Sequence, residues 1–193
     1  MYRIISGKWK SKRISAPKNF EVRPTTDFAK EALFSIIENR YDMEAEFISV
    51  LDLFAGIGSI SLEFASRGCN DVTSVEMNPK HAAFINSTAA ELEMAIQVNV
   101  QRADVFDYLK KNRNHKTYDL LVADPPFDTE EKKYNELISL VLNNKFLKPN
   151  GIFVLEHQSR TKLSHPNILE TRKYGNVSFS FIKANEETTI ESE

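Results

Sequence analysis

The sequence predicts an α/β fold built on a mostly parallel, doubly wound sheet. Three observations lead there. From residue 47 onward, short apolar runs alternate with amphipathic helical stretches, the pattern of repeated strand–helix units. Gly56 and Gly58 fall where the first long apolar run gives way to a helix. Asp124-Pro125-Pro126-Phe127 directly follows another apolar run, and two prolines without N–H groups cannot continue a sheet. Ligands of open α/β sheets gather at the carboxyl ends of strands, so this turn is the most informative stretch of the chain.

The elements follow in order. Residues 2–6 and 12–15 alternate in part around Gly7-Lys8-Trp9-Lys10 and predict a β-hairpin. Residues 16–24 form a proline-bounded loop, and Thr25, Thr26 and Asp27 offer N-cap or first-turn chemistry. Phe28, Ala32, Leu33, Ile36 and Ile37 recur at helical spacing, giving an amphipathic helix over 27–39. Strands are predicted at 47–54, 72–76, 96–102, 120–123 and 151–156, and helices at 59–66, 79–94, 105–111 and 131–143. Pro79 suits a first helical turn. Residues 168–174 and 177–182 lie too close together for a parallel crossover, so they pair antiparallel around Gly175-Asn176 and supply an antiparallel C-terminal strand. The expected organisation is a basic hairpin arm (1–24), an α/β domain (25–183) and an acidic tail (184–193), which lacks an apolar face and is expected to be disordered.

Composition narrows the class. A chain of 193 residues, 41% hydrophobic, builds one core with a small appendage. No apolar run approaches the roughly 20 residues of a membrane span, and no secretory h-region precedes the hairpin, so a cytoplasmic setting is expected. One cysteine, Cys69, excludes an internal disulfide and a multi-Cys metal site, and its place beside a strand makes it a small core residue. No metal is expected. Residues 1–30 hold eight cations and two carboxylates, hence +6, and with −2 overall the remainder carries −8. Such asymmetry points to an arm that meets a polyanion, or to a solvated charged hairpin.

Acids at strand ends carry the chemistry. Asp52 precedes the glycine turn, where it would repel a pyrophosphate and suit a cationic ligand; Ser61 stands where a dinucleotide fingerprint has its third glycine. Glu76, 18 residues beyond Gly58, suits the two hydroxyls of a ribose. Asp104 ends the third strand and could accept from an adenine amino group, with Asp107 as the blander neighbour. Asp124 could accept from an amino group, and Phe127 could stack on a flat base. His157 follows Glu156 at a strand end and is a candidate for the substrate side; His81, His115 and His165 read as surface residues.

Together these motifs resemble Rossmann-like class I S-adenosylmethionine-dependent methyltransferases, and Phe54-x-Gly56-x-Gly58 with Asp124-Pro125-Pro126-Phe127 resembles those acting on nucleobase amino groups. Arg3-Ile4-Ile5-Ser6-Gly7-Lys8-Trp9, Arg23-Pro24-Thr25-Thr26-Asp27, Asp52-Leu53-Phe54-Ala55-Gly56, Ser66-Arg67-Gly68 and Tyr174-Gly175-Asn176-Val177 narrow the resemblance to the RsmD family, over about residues 2 to 182. Ile57 departs from the small polar residue usual between the glycines, where backbone rather than side chain makes the turn. The resemblance implies transfer of a methyl group from S-adenosyl-L-methionine to guanine N2 in small-subunit ribosomal RNA, naked or within an assembling subunit.

It also implies roles by position. Gly56 and Gly58 would lie by the methionine part of the cofactor, Glu76 by its ribose, and Asp104 and Val105 by its adenine, with Asp52 and Phe54 also cofactor-binding. Asn78 would border the cofactor or cap a helix. Asp124, Pro125, Pro126 and Phe127 would hold the target base. From charge rather than from the resemblance, Arg3, Lys8, Lys10, Lys12, Arg13 and Arg23 are expected to contact RNA, and Trp9, in the basic turn, to stack on RNA or cover the core. Two alternatives stay open: an adenine-N6 methyltransferase of RNA or DNA, and an RNA-binding module of the same fold without catalysis. A protein glutamine methyltransferase would carry Asn at 124, and Ser61 disfavours a nicotinamide oxidoreductase.

Overall fold

The computed structural model describes residues 2–17, 20, 26–112 and 116–184. A two-stranded antiparallel hairpin pairs β1 (Tyr2–Arg3) with β2 (Arg13–Ile14). Helix α1 (Asp27–Arg40) follows, started by Thr26, whose Oγ1 accepts from the Ala29 N–H at 3.2 Å. Then come β3 (Ser49–Leu53), α2 (Ser59–Ser66), β4 (Asp71–Val75), α3 (Pro79–Glu91), β5 (Val98–Gln101), α4 (Val105–Lys111), β6 (Tyr118–Ala123), α5 (Glu131–Asn143), β7 (Leu147–Gln158), β8 (Ile168–Tyr174) and β9 (Val177–Lys183).

The seven later strands form one sheet in the order β5-β4-β3-β6-β7-β9-β8. Pairings from β5 through β7 are parallel, and β9 runs antiparallel to both its neighbours. This is the Rossmann-like, doubly wound arrangement expected. The chain order reverses at β3, so the crevice beyond the carboxyl ends of β3 and β6 is where a ligand belongs.

Alternation along the strands sorts the core onto two faces. Val50, Leu120, Val122 and Val154 pack with Leu33, Phe34 and Ile37 of α1, Phe64 of α2 and Ile85 of α3. Leu51, Leu121, Phe153 and Leu155 pack with Leu109 of α4 and Leu137, Ile138 and Val141 of α5. Each fully buried Leu, Ile or Phe contributes roughly 1.5–3 kcal/mol. Cys69 is buried, as its flanks suggest.

Element boundaries differ from expectation where a local turn intervenes. Ala45–Phe47 is a 3-10 turn that leaves Phe47 exposed, so β3 starts later than 47. The predicted helix 79–94 ends at Glu91, because Glu93 takes φ +55° and Met94 N–H closes back on the Ala89 carbonyl at 2.7 Å. Strand β7 is longer than predicted, extended by pairing with β6 at Leu147 and with β9 as far as Gln158.

The hairpin is seated on the sheet domain. Tyr2, Ile4 and Ile14 are buried in the same core as α1 and α2. Gly7 (φ +80°) meets the end of α2 so closely that an added Cβ would lie 1.8 Å from the Ser66 carbonyl oxygen, and no other residue fits there. The N–H groups of Ile5 and Ser6 donate to the two oxygens of Glu63 at 2.8 and 2.9 Å. Lys30, counted in the sequence with the basic arm, lies fully buried instead: its Nζ reaches the Arg3 carbonyl at 2.6 Å and Glu63 at 3.4 Å. Burial pulls the Lys30 ammonium below its ordinary pKa, and Glu63 pulls it back up. The predicted boundary at residue 24 and the acidic stretch 185–193 lie outside the described residues. Among the described residues, no helix is long and apolar enough to cross a membrane.

Candidate active site

The turn after β3 is built from left-handed backbone. Phe54 (φ +60°), Gly56 (φ +56°) and Gly58 (φ +79°) bend the chain, and Ala55 N–H anchors it to the Val75 carbonyl at 3.0 Å. A Cβ on Gly56 would meet only the Phe54 carbonyl, at 4.0 Å, whereas one on Gly58 would press on the Ile85 side chain at 3.0 Å. The first glycine therefore keeps the ligand side open and the second seats the turn on α3.

A cavity of about 970 Å³ opens beside this turn. Its walls bring together Asp52, Phe54, Gly56, Glu76, Asp104, Val105, Asp124, Pro125, Pro126 and Phe127. Gly58 and Asn78 are not among its lining. Asn78 is instead the N-cap of α3, its Oδ1 accepting from Lys80 N–H at 2.9 Å.

Each acid has a structural partner as well as a face on the cavity. Asp52 is buried in β3 and accepts from the N–H and Oγ of Ser61; Ser61 Oγ also contacts Ser74 Oγ at 2.6 Å. Ser61 thus holds the carboxylate from below. Burial pushes the Asp52 carboxyl up to about 7, against the Ser61 hydrogen bonds, and the charges of Asp124 and Glu76 push the same way. Glu76 follows β4 and binds the glycine turn: its Oε2 accepts from Gly56 N–H at 2.8 Å and its Oε1 from Asn78 N–H at 2.7 Å. Asp104 is the N-cap of α4, accepting from Asp107 N–H at 3.0 Å.

Asp124 leaves β6 beside the glycine turn, its N–H 3.4 Å from the Leu53 carbonyl. Pro126 accepts from Thr129 N–H at 2.9 Å, closing the turn, and Gln158 Nε2 ties down the Phe127 carbonyl at 2.7 Å. Among the described residues, no group of three or more His, Cys, Asp or Glu is arranged to hold a metal ion.

Among the described residues, no hairpin cation lines this cavity. Lys8 pairs with Glu93 at 2.7 Å, Lys12 with Glu91 at 3.0 Å, and Arg3 with Asp27 at 3.2 Å. Lys10 and Arg13 are exposed, and Arg23 lies outside the described residues. Trp9 is partly buried against the core, with Lys8 Nζ 5.3 Å from its ring centre.

The structure corrects the expectation for two histidines and adds two side chains to the site. His157 is buried in the interior, with Nε2 2.9 Å from Ser180 Oγ, and does not line the cavity. His81, which reads as a surface residue in the sequence, lines it, with Nδ1 3.7 Å from Glu76. Glu156 and Tyr134 also line it. Glu156 carries the same sequence signal as the other acids, a carboxylate at the end of an apolar run; Tyr134 is hidden in the buried face of a helix.

Residues 2–183 match the family described as Conserved hypothetical protein 95. The ribosomal RNA small subunit methyltransferase D of Buchnera aphidicola subsp. Baizongia pistaciae is 34% identical over 81% of this chain and 76% of its own length. The protein of that name from Haemophilus influenzae is 31% identical over 92% of this chain and 91% of its own. A hypothetical protein of Thermus thermophilus shares the fold, with a TM-score of 0.80 at 23% identity over 95% of this chain and 100% of that one. The family match spans the hairpin, the glycine turn and the Asp-Pro-Pro-Phe turn, and with these relatives it shows that the chain belongs to the RsmD family.

Proposed function

We propose that the protein methylates the exocyclic N2 amino group of a guanine in small-subunit ribosomal RNA, with S-adenosyl-L-methionine as methyl donor, in the cytoplasm. The observation that carries this reading is the cavity shared by the glycine turn, Glu76 and Asp104 on one side and the Asp124–Phe127 turn on the other. Its residues fit the donor. Glu76 is already oriented by two backbone N–H groups, leaving lone pairs for ribose hydroxyls. Burial and the charges of Asp124 and Glu76 hold the Asp52 carboxyl up at about 7, so a cationic ligand beside it would favour its ionised form. When bound, S-adenosyl-L-methionine supplies an electrophilic methyl group.

The protein's own task is orientation. The guanine N2 lone pair is delocalised into the ring and is a poor nucleophile. Asp124 and the Pro125 carbonyl accept hydrogen bonds from the amino group, favouring a more tetrahedral nitrogen, and Phe127 stacks on the base. Preorganised acceptors of this kind act through positioning and electrostatics. Asp124 need not be a strong base, because the alkylated nitrogen is itself strongly acidic. The base must leave its stack to enter. The hairpin's Lys10 and Arg13 meet phosphates without reading sequence.

Asp124→Ala tests the reading. Methyl transfer to small-subunit ribosomal RNA should fall by about 10²–10³ or more, while calorimetric titration with S-adenosylhomocysteine stays near wild type. Mass-spectrometric mapping of N2-methylguanosine in cells lacking the gene identifies the nucleotide. Near-normal turnover by the variant would refute the role given to Asp124.

A further inference from the structure

Tyr134 does nothing for the fold that a phenylalanine would not do. It sits in α5, is 1% exposed, and its hydroxyl is buried without a hydrogen-bond partner among the described residues. An unpaired buried hydroxyl is costly, and structures rarely tolerate one without cause. The side chain lines the cavity together with Asp124 and Glu156. Besides burial, the negative charges of Asp124, Asp128 and Glu156 hold its phenol above the ordinary value, at about 12, so it is protonated and a donor at neutral pH.

Glu156 is the second part. Ala123 and Leu155 are register partners on adjacent parallel strands, so Asp124, the first residue past the end of β6, follows Ala123 just as Glu156 of β7 follows Leu155. Neighbouring strands lie about 4.8 Å apart. Glu156 is 5% exposed and lines the same cavity. The target side of the cavity thus offers two acceptors, Asp124 and Glu156, and one donor, the Tyr134 hydroxyl.

Guanine's pairing edge presents the complementary set: the N2 amino group and N1–H as donors, then O6 as acceptor. Adenine presents an amino donor beside an unprotonated N1. With its amino group at Asp124, adenine would turn that lone pair toward the Glu156 carboxylate. We propose that Tyr134 and Glu156 select guanine over adenine, Glu156 accepting from N1–H and the Tyr134 hydroxyl donating to O6. This rests on the function proposed above and assigns the base preference to two residues of its site. Sites built to hydrogen-bond a substrate group reject analogues lacking that group far more strongly than apolar pockets discriminate by size.

The test pairs enzyme and substrate changes. Small-subunit RNA carrying guanine, adenine or 2-aminopurine at the mapped nucleotide is offered to wild type, Tyr134→Phe and Glu156→Gln. 2-Aminopurine keeps the amino group and lacks both O6 and N1–H. Wild type should use it at least about 100-fold less well in kcat/KM. Tyr134→Phe should lose roughly 10- to 100-fold on guanine and little on 2-aminopurine. Glu156→Gln, whose amide can donate to an unprotonated N1, should narrow the gap between the bases. Equal losses on both bases in Tyr134→Phe, or equal use of both by wild type, would overturn this inference and leave guanine methylation standing. Transfer to adenine and not guanine by wild type would overturn both.

Discussion

Glu63 and Asp52 are two buried carboxylates in opposite circumstances. Glu63, beneath the hairpin, receives Arg67 Nε at 2.9 Å, Lys30 Nζ at 3.4 Å and two backbone N–H groups. Asp52, beneath the cavity, is held by Ser61, and the charges that bear on it are the like charges of Asp124 and Glu76. The first site is closed by its own partners and serves to join the hairpin, α1 and α2. The second is left electrostatically incomplete, and a cationic ligand can complete it. The same residue chemistry separates a clamp from a binding site according to who supplies the counter-charge.

The sharpest way to break this contrast is to remove the clamp's acid. Glu63→Ala strands the buried Lys30 ammonium and two backbone donors. Breaking a buried pair from one side costs about 3–5 kcal/mol, so urea unfolding should show a loss of that order. A change below about 1 kcal/mol would mean that the hairpin is held by its apolar packing alone.

The cavity acid should announce itself through pH. The Asp52 carboxyl is raised to about 7, so the free protein binds a proton there that the unfolded chain has already lost. That contribution to stability is fully present below the ordinary carboxylate pKa and is lost as pH rises through about 7. A cationic ligand favours the ionised form, so affinity has the opposite slope. Titration with S-adenosylhomocysteine, which carries an ammonium group, should weaken by up to about tenfold per pH unit below 7, and Asp52→Asn should flatten the profile. A flat wild-type profile between pH 5 and 8 would disconnect Asp52 from the ligand.

The smallest effect belongs to the hairpin surface. Lys8 and Lys12 are engaged by Glu93 and Glu91, in exposed pairs worth about 0–1 kcal/mol. Replacing Lys10 and Arg13 by Ala should flatten the log–log salt dependence of RNA binding by about 0.7–0.9 for each phosphate no longer neutralised, and replacing Lys8 and Lys12 should change it less. Equal slopes for both pairs and wild type would make the hairpin a structural element with no share in RNA binding.

The difference between these regions also marks what is legible in the sequence. Strand and helix order follows from hydrophobic period, and the strand-end acids follow from that order, because a parallel sheet gathers its carboxyl ends on one side. Asp52, Glu76, Asp104 and Asp124 are therefore readable as one site without their distances. The hairpin is readable as a hairpin but not as a docked one. Its charges suggest a free arm, whereas the interactions that hold it, Gly7 on Ser66 and Ile5 on Glu63, span more than 50 residues and leave no local pattern. Lys30 is illegible for the same reason, since a buried lysine differs from a solvated one only through partners distant in sequence. His157 is illegible likewise, since β9 covers it and offers Ser180, and His81 faces the cavity because the first turn of α3 sits beside Glu76.

The seating of Gly7 against Ser66 has a consequence for synthesis. Lys8 N–H reaches the Ser66 carbonyl at 2.7 Å, across 58 residues of chain. Translation at about 5–20 residues per second takes roughly 3–12 s to bring α2 out after the hairpin. During that interval Tyr2, Ile4 and Ile14 have no core to enter, and Gly7 lies open to solvent. Residues 2–14 therefore emerge early and lock late, and the chain between them must close a long loop before the clamp forms. A stall or truncation anywhere before Ser66 leaves an apolar, basic segment exposed on the nascent chain.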